Sequence, residues 1–297
     1  MSQPTKSTKV NLDPILPSEM AQLAEVAGVK KAKLDVASLL VLAILAGAFI
    51  ALGAVFATTV TAGLKGSVPY GIIKLLGGLV FCLGLILVIV GGAELFTGNA
   101  LIVMAWAGKR IRTAQLLRNW LIVYVGNFIG ALGTVVMVFF TGQYKFGQGA
   151  IGLNALEIAT AKCKLGFAEG VFLGILCNAL VCLAVWLCYS ARTTTDKVLA
   201  IIFPITAFVA AGFEHSVANM YFIPAGIMTK DYASTDFWTL INQAPIDFNA
   251  LNWSNFFVVN LIPVTIGNII GGVILVGLVY WFIYIKPRKA ALRRRGD

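Results

Sequence analysis

Residues 212–220 read GFEHSVANM and residues 92–100 read GAELFTGNA. Both interrupt long apolar stretches, both fit G-x-E-x-x-x-x-N, and they stand 120 residues apart. The later copy sets Glu214 beside His215, the only histidine among 297 residues. An ionisable side chain is costly in hydrocarbon and usually faces a cavity or a partner. Two such interruptions at a fixed spacing imply a membrane protein built from two related halves.

Composition agrees. The chain is 59% hydrophobic and 12% charged, with a mean hydropathy of +0.88, far too apolar for a soluble domain of this length. The apolar runs are continuous and show no period-two alternation, so they predict helices and exclude a barrel. The first 35 residues are polar and lysine-rich, which argues against a signal peptide. Cys82, Cys163, Cys177, Cys182 and Cys188 are odd in number and mostly inside the apolar runs, so they predict packing residues. With one histidine and no cysteine pair, no metal site is expected. HExxH, GxSxG and Walker motifs are absent from the sequence, and GQGAIG (147–152) sits in a polar loop with no preceding strand. An enzyme, a cofactor and direct ATP coupling are therefore not expected. The net charge of +10 flanks the spans and forms no separate basic domain, so no nucleic-acid partner is expected.

Uncharged stretches give six expected spans. The first (36–64), third (119–144), fourth (170–191) and sixth (within 248–285) are each long enough for a bilayer core, which takes about 20 helical residues. The second (75–93, then 95–108) and fifth (198–213, then 216–229) are expected as half-helices about a break. Seventeen of the 23 Lys and Arg then fall on the side of both termini, which predicts N-in and C-in. The expected division is a cytoplasmic segment 1–35, one channel domain 36–285 with halves of about 36–144 and 165–285, and a basic tail 286–297. Within the first segment, a short amphipathic helix is expected from Pro17 to a stop at Gly28, resting on the membrane or gating.

A second match strengthens the repeat. NWLIVYVGNFIG (119–130) and NLIPVTIGNIIG (260–271) share N-x6-G-N-x-I-G, 141 residues apart. GAFI (47–50) and GVFL (170–173), 123 apart, supply a third. Three spans per half make the repeat inverted, with the breaks of spans two and five meeting near mid-membrane. The glycines of the two GNxIG segments also form GxxxG, read as close helix packing. Glu94, Glu169, Glu214 and His215 are the ionisable residues expected within spans. Glu94 and Glu214 share a structural reading, accepting the free amides of a broken helix, and Glu214 has the further option of orienting the imidazole. His215 has Leu95 as its counterpart and is the functional candidate.

LPSEMAQLAEVAGVKKA, GAELFTGNALI, NWLIVYVGN, GFEHSVANM and NLIPVTIGNIIGG together resemble the formate/nitrite transporter family over residues 15 to 285, nearest its FocA-type formate channels. The resemblance implies an aquaporin-like, all-α, six-span integral membrane fold, one pore per protomer and a homopentamer in a bacterial inner membrane. It implies a passive or pH-gated channel for formate and similar small monovalent anions. The alternatives are a proton-coupled formate transporter, or a channel for nitrite or hydrosulfide. By position it makes His215 the central pore residue, with Thr97, Lys162, Asn178, Asn219, Asn268 and Glu214 around it. Phe81, Leu85 and Phe208 become apolar constrictions, and Glu94 and Asn99 structural residues at the break. On that reading His215 and Lys162 stabilise the anion between constrictions, with proton transfer from His215 as one mechanism and plain anion conduction as the other.

Overall fold

The computed structural model describes residues 13–287. The first twelve residues of the expected cytoplasmic segment and most of the basic tail lie outside the described residues. The described residues hold helices and no strand. They are α1 (Pro17–Ala32), α2 (Val36–Thr61), α3 (Tyr70–Gly91), α4 (Gly98–Ala107), α5 (Thr113–Phe140), α6 (Ala150–Lys162), α7 (Phe167–Ser190), α8 (Thr194–Ala210), α9 (Ser216–Tyr232), α10 (Thr235–Ile241) and α11 (Asn255–Ile285).

Five of these, α2, α3, α5, α7 and α11, are long and apolar enough to cross a bilayer. At 17 residues each, α8 and α9 are shorter, about 25 Å at 1.5 Å per residue. Both expected breaks are present. α3 ends at Gly92 (φ 81°) and α8 is followed by Gly212 (φ 75°). These equivalent glycines take left-handed backbone that a side chain would strain.

The two halves pack alike. α2 lies on α3 and α5, α7 lies on α8 and α11, and α3 meets α8 between them. α1 lies against α4 as α6 lies against α9. The GxxxG reading holds in atomic detail: a Cβ on Gly130 would stand 1.9 Å from Ile44 O, and one on Gly271 would stand 2.1 Å from Ile175 O. The outward faces carry exposed Leu121, Val125, Ile129 and Met137 on α5 and Phe203 on α8. An apolar exterior on this scale suits lipid or another subunit rather than water.

Three sequence expectations are corrected. First, α1 runs through Gly28 to Ala32, and Gly28 is where α1 crosses α4: a Cβ there would sit 3.1 Å from Ala105 Cβ. α1 is not merely laid on a membrane, because Met20 and Ala24 are buried in a cluster with Met104, Trp186 and Ile285. Second, Glu169 is outside the apolar core. It is an exposed residue in the first turn of α7 that accepts the Gly166 N–H at 3.2 Å. Third, the GAFI/GVFL match is out of register. Glu94 N–H bonds to Leu42 O and Glu214 N–H bonds to Leu173 O, so spans one and four align at an offset of 131 residues.

Candidate functional site

A broken helix leaves backbone groups without partners, and each must be satisfied where no water reaches. Here asparagines from α5 and α11 satisfy them. Asn127 Nδ2 donates to Ala43 O (2.7 Å) and Glu94 O (2.9 Å), while its Oδ1 accepts Phe96 N–H (2.9 Å). Asn268 Nδ2 donates to Gly174 O (2.9 Å) and Glu214 O (2.9 Å), while its Oδ1 accepts Ser216 N–H (2.9 Å). Asn178 Nδ2 holds the Asn268 carbonyl at 2.6 Å. Asn178 and Asn268 are thus scaffold around the break, fully enclosed at 1% and 0% exposure.

The glutamates do not take the free amides, contrary to expectation. Glu94 accepts Lys31 Nζ (2.8 Å) and Asn99 Nδ2 (2.7 Å). Glu214 accepts Lys162 Nζ (2.7 Å), Asn219 Nδ2 (2.6 Å) and Asn260 Nδ2 (3.2 Å). The lattices match further out: Asn99 Nδ2 donates to Asn119 Oδ1 (3.0 Å), and Asn219 Nδ2 donates to Asn260 Oδ1 (2.7 Å). Asn119 and Asn260 in turn donate to the carbonyls of Lys31 and Lys162. One difference stands out. Lys31 also bonds Asn99 Oδ1 (3.0 Å), whereas Asn219 Oδ1 is buried without a partner and Lys162 Nζ lies 5.4 Å from the Phe222 ring centre.

Glu214 makes none of its hydrogen bonds to the neighbouring imidazole. His215 is the N-cap of α9, with Nδ1 accepting Ala218 N–H at 3.0 Å. Nδ1 is therefore the bare nitrogen, and a neutral ring carries its proton on Nε2. Nε2 meets Thr97 Oγ1 at 2.9 Å, so the ring donates and the threonine accepts. That leaves the Thr97 hydroxyl hydrogen for another acceptor. The pair joins the two breaks, and both residues are buried.

Apolar groups flank this pair. Phe208 stacks on His215 (centroids 5.9 Å) and meets Phe81 edge-on (5.7 Å), and Phe81 stacks with Phe222 (6.3 Å). Leu85 lines a separate cavity of about 30 Å³ together with Leu95, Lys31 and Asn99. A second cavity, of about 40 Å³, is lined by Thr58, Tyr221 and Phe222. Each has room for two or three water-sized groups.

Lys31, Leu95, Asn119, Asn127, Asn260 and Phe222 are among the residues here that were not singled out from the sequence as site candidates. The signal for Lys31 was present. KAKL (31–34) and KCKL (162–165) share K-x-K-L at an offset of 131, the offset that the backbone bonds of spans one and four require.

Known proteins bear on this arrangement. The formate/nitrite transporter family model matches residues 18–282. The chain is 51% identical to formate channel FocA of Escherichia coli K12, over 92% of this chain and 96% of that one. It is 48% identical to formate channel FocA of Haemophilus influenzae, over 78% and 82%. Its fold is similar to that of a pentameric formate channel solved with formate bound (TM-score 0.79, 44% identity, 84% of this chain and 98% of that one). It is also similar to an FNT family ion channel (TM-score 0.76, 27% identity, 89% and 98%). With its two breaks, their asparagine plugs and a match across nearly its whole length, the chain belongs to the formate/nitrite transporter family.

Proposed function

We propose that this protein conducts formate across the membrane as a channel, without catalysis, and that the Thr97–His215 pair is the polar station on its path. The observation that carries the reading is the pair itself: one hydrogen-bond donor unit, buried and stacked against Phe208, at the junction of two broken helices. Two relatives, 51% and 48% identical over most of the chain, are named formate channels. We take residues 36–285 as one channel unit of six crossings, α8 and α9 together making the fifth, with five copies in a ring as in the similar pentamer. The positive-inside count supports both termini lying on the cytoplasmic side, in a bacterial inner membrane.

A small carboxylate has a pKa near ~4 and is an anion at neutral pH. Bare passage between Phe81 and Phe208, or past Leu85 and Leu95, would forfeit hydration that apolar walls cannot replace. The Thr97 hydroxyl, polarised by Nε2–H of His215, offers that anion a donor between the two apolar zones. The Lys31–Glu94 and Lys162–Glu214 pairs stand on either side as ammonium groups already neutralised by a carboxylate. Each attracts an anion without trapping it. Glu94 and Asn99 on one side, and Glu214 and Asn219 on the other, act here as the holders of those lysines.

The same geometry supports plain conduction over proton transfer. For His215 to become imidazolium, Nδ1 must acquire a proton where Ala218 N–H already points. Two donors would then face each other, and the first turn of α9 would lose its cap. Donation through Thr97 without net proton transfer needs no such change and is the preferred mechanism. Formate flux into proteoliposomes, followed across pH for the natural protein and for His215→Phe, tests it. Profiles of the same shape support plain conduction; a pH dependence that vanishes with the histidine supports proton transfer. Ohmic currents through a clamped bilayer separate a channel from a proton-coupled transporter, which would instead accumulate formate against its gradient when given a pH gradient.

A further inference from the structure

The turn between α4 and α5 reads Lys109-Arg110-Ile111-Arg112 and puts three cations in four residues. Lys109 adopts φ 58°, where its N–H closes on Trp106 O and Arg110 N–H closes on Ala105 O. Glycine would take this left-handed position without steric cost. The three side chains line an open cleft of about 900 Å³, walled also by Trp106, Leu278 and Trp281.

The cations are unequally engaged. Arg110 stands 3.6 Å from the buried Glu25 carboxylate of α1. Lys109 and Arg112 form no ion pair among the described residues. The Trp106 N–H goes to Thr113 Oγ1 at 3.0 Å, but the Trp281 indole nitrogen is buried and has no acceptor. Beside the cleft, α11 turns outward an apolar face of Val279, Phe282 and Ile283. A cationic recess and an adjoining apolar stripe match the two parts of an anionic lipid. Tryptophans and basic clusters at the end of a spanning helix mark the headgroup level of a bilayer.

We propose that this cleft holds the phosphate of an anionic phospholipid, bound by Lys109 and Arg112, with its acyl chains along the outer face of α11. Arg110 is left to Glu25 and so ties the lipid site to α1.

The test uses the full chain, taken from bilayers of equimolar phosphatidylcholine and phosphatidylglycerol and examined for retained lipid by native mass spectrometry. The natural protein is expected to retain phosphatidylglycerol over phosphatidylcholine. The double variant K109Q/R112Q is expected to lose that preference by about fivefold per charge removed, the weight of one cation near an anionic surface. Formate flux should stay at the natural level, which also shows that the variant is folded. Lys145→Gln, elsewhere on the surface, should leave lipid retention unchanged. Equal retention of the two lipids, undiminished retention in the double variant, or displacement of the lipid by millimolar inorganic phosphate would each overturn the proposal. The last outcome would make the cleft a site for soluble phosphate.

Discussion

Asn127 and Asn268, 141 residues apart, make the same three hydrogen bonds: each plugs the break of its own half with one accepted N–H and two satisfied carbonyls. A buried polar group left without its partner costs about 1–3 kcal/mol. Asn268→Leu orphans the Ser216 N–H and the Glu214 carbonyl and should lower the unfolding free energy of the detergent-solubilised protein by about two such increments. Asn268→Asp is the sharper probe, since it keeps the shape while turning a donor into an anion against Gly174 O and Glu214 O. It should be at least as damaging as the leucine. Thermal unfolding of the two variants beside Asn127→Leu checks the claim, and an aspartate as stable as asparagine would refute the plug.

Thr97 accepts the hydrogen bond of the imidazole Nε2–H and keeps its own hydroxyl hydrogen free to donate. Thr97→Val is nearly isosteric and removes that donor together with the acceptor of the His215 Nε2–H, whereas Thr97→Ser retains both. A site built to hydrogen-bond its ligand loses orders of magnitude when one member of the bond is deleted. Formate flux should therefore fall by roughly tenfold or more in Thr97→Val, the lower end of what a lost polar contact costs. It should remain near the natural value in Thr97→Ser. Equal flux in the two would show that the hydroxyl is only packing.

Much of this was legible because charge inside an apolar run is rare and informative. Glu94, Glu214 and His215 announced the breaks, and N-x6-G-N-x-I-G announced the two asparagine-bearing helices. What escaped notice did so for physical reasons. Gly28 looks like a helix stop because glycine is a poor helix former, yet it is retained for the close crossing of α1 on α4. With the helix ended there, Lys31 read as a loop cation rather than the counterpart of Lys162. The GAFI/GVFL match was degenerate, since small and apolar residues recur in any spanning helix. The orientation of the imidazole could not be read at all, because it depends on Thr97, 118 positions away.

Lys162 and Glu214 test whether the ion pairs are scaffold. Their side chains are 16% and 7% exposed, whereas Lys31 is 31% exposed against Glu94 at 7%. Removing one partner of a buried pair strands the other charge and typically costs about 3–5 kcal/mol, while removing both charges together is often nearly neutral. Lys162→Met should therefore destabilise strongly, and Lys162→Met with Glu214→Gln should recover much of the loss. The same cycle at Lys31 and Glu94 should show a smaller coupling, because water reaches that ammonium. Unfolding midpoints for both cycles decide this. A Lys31 cycle with the larger coupling would contradict the exposure argument.

The glycines of α5 separate packing from mere helix composition. Gly130 and Gly133 lie on the same helix, but a Cβ at Gly130 would stand 1.9 Å from Ile44 O and 2.9 Å from Ala48 N, whereas one at Gly133 meets nothing within 4 Å. Backbone cannot yield as a side-chain tip can, so Gly130→Ala must push α5 away from α2. Moving α5 shifts Asn127 with it, one turn away, and so loosens the plug on Glu94 O and Phe96 N–H. Overpacking of this kind costs typically about 1–3 kcal/mol. Gly133→Ala should be neutral or slightly stabilising, since alanine is the better helix former. Gly271→Ala, whose Cβ would stand 2.1 Å from Ile175 O, should reproduce the Gly130 defect in the other half. Thermal stability and formate flux of the three variants provide the measurement. The outcome that would sink the argument is a Gly133 variant as impaired as the other two, since sensitivity would then follow the helix and not the contact.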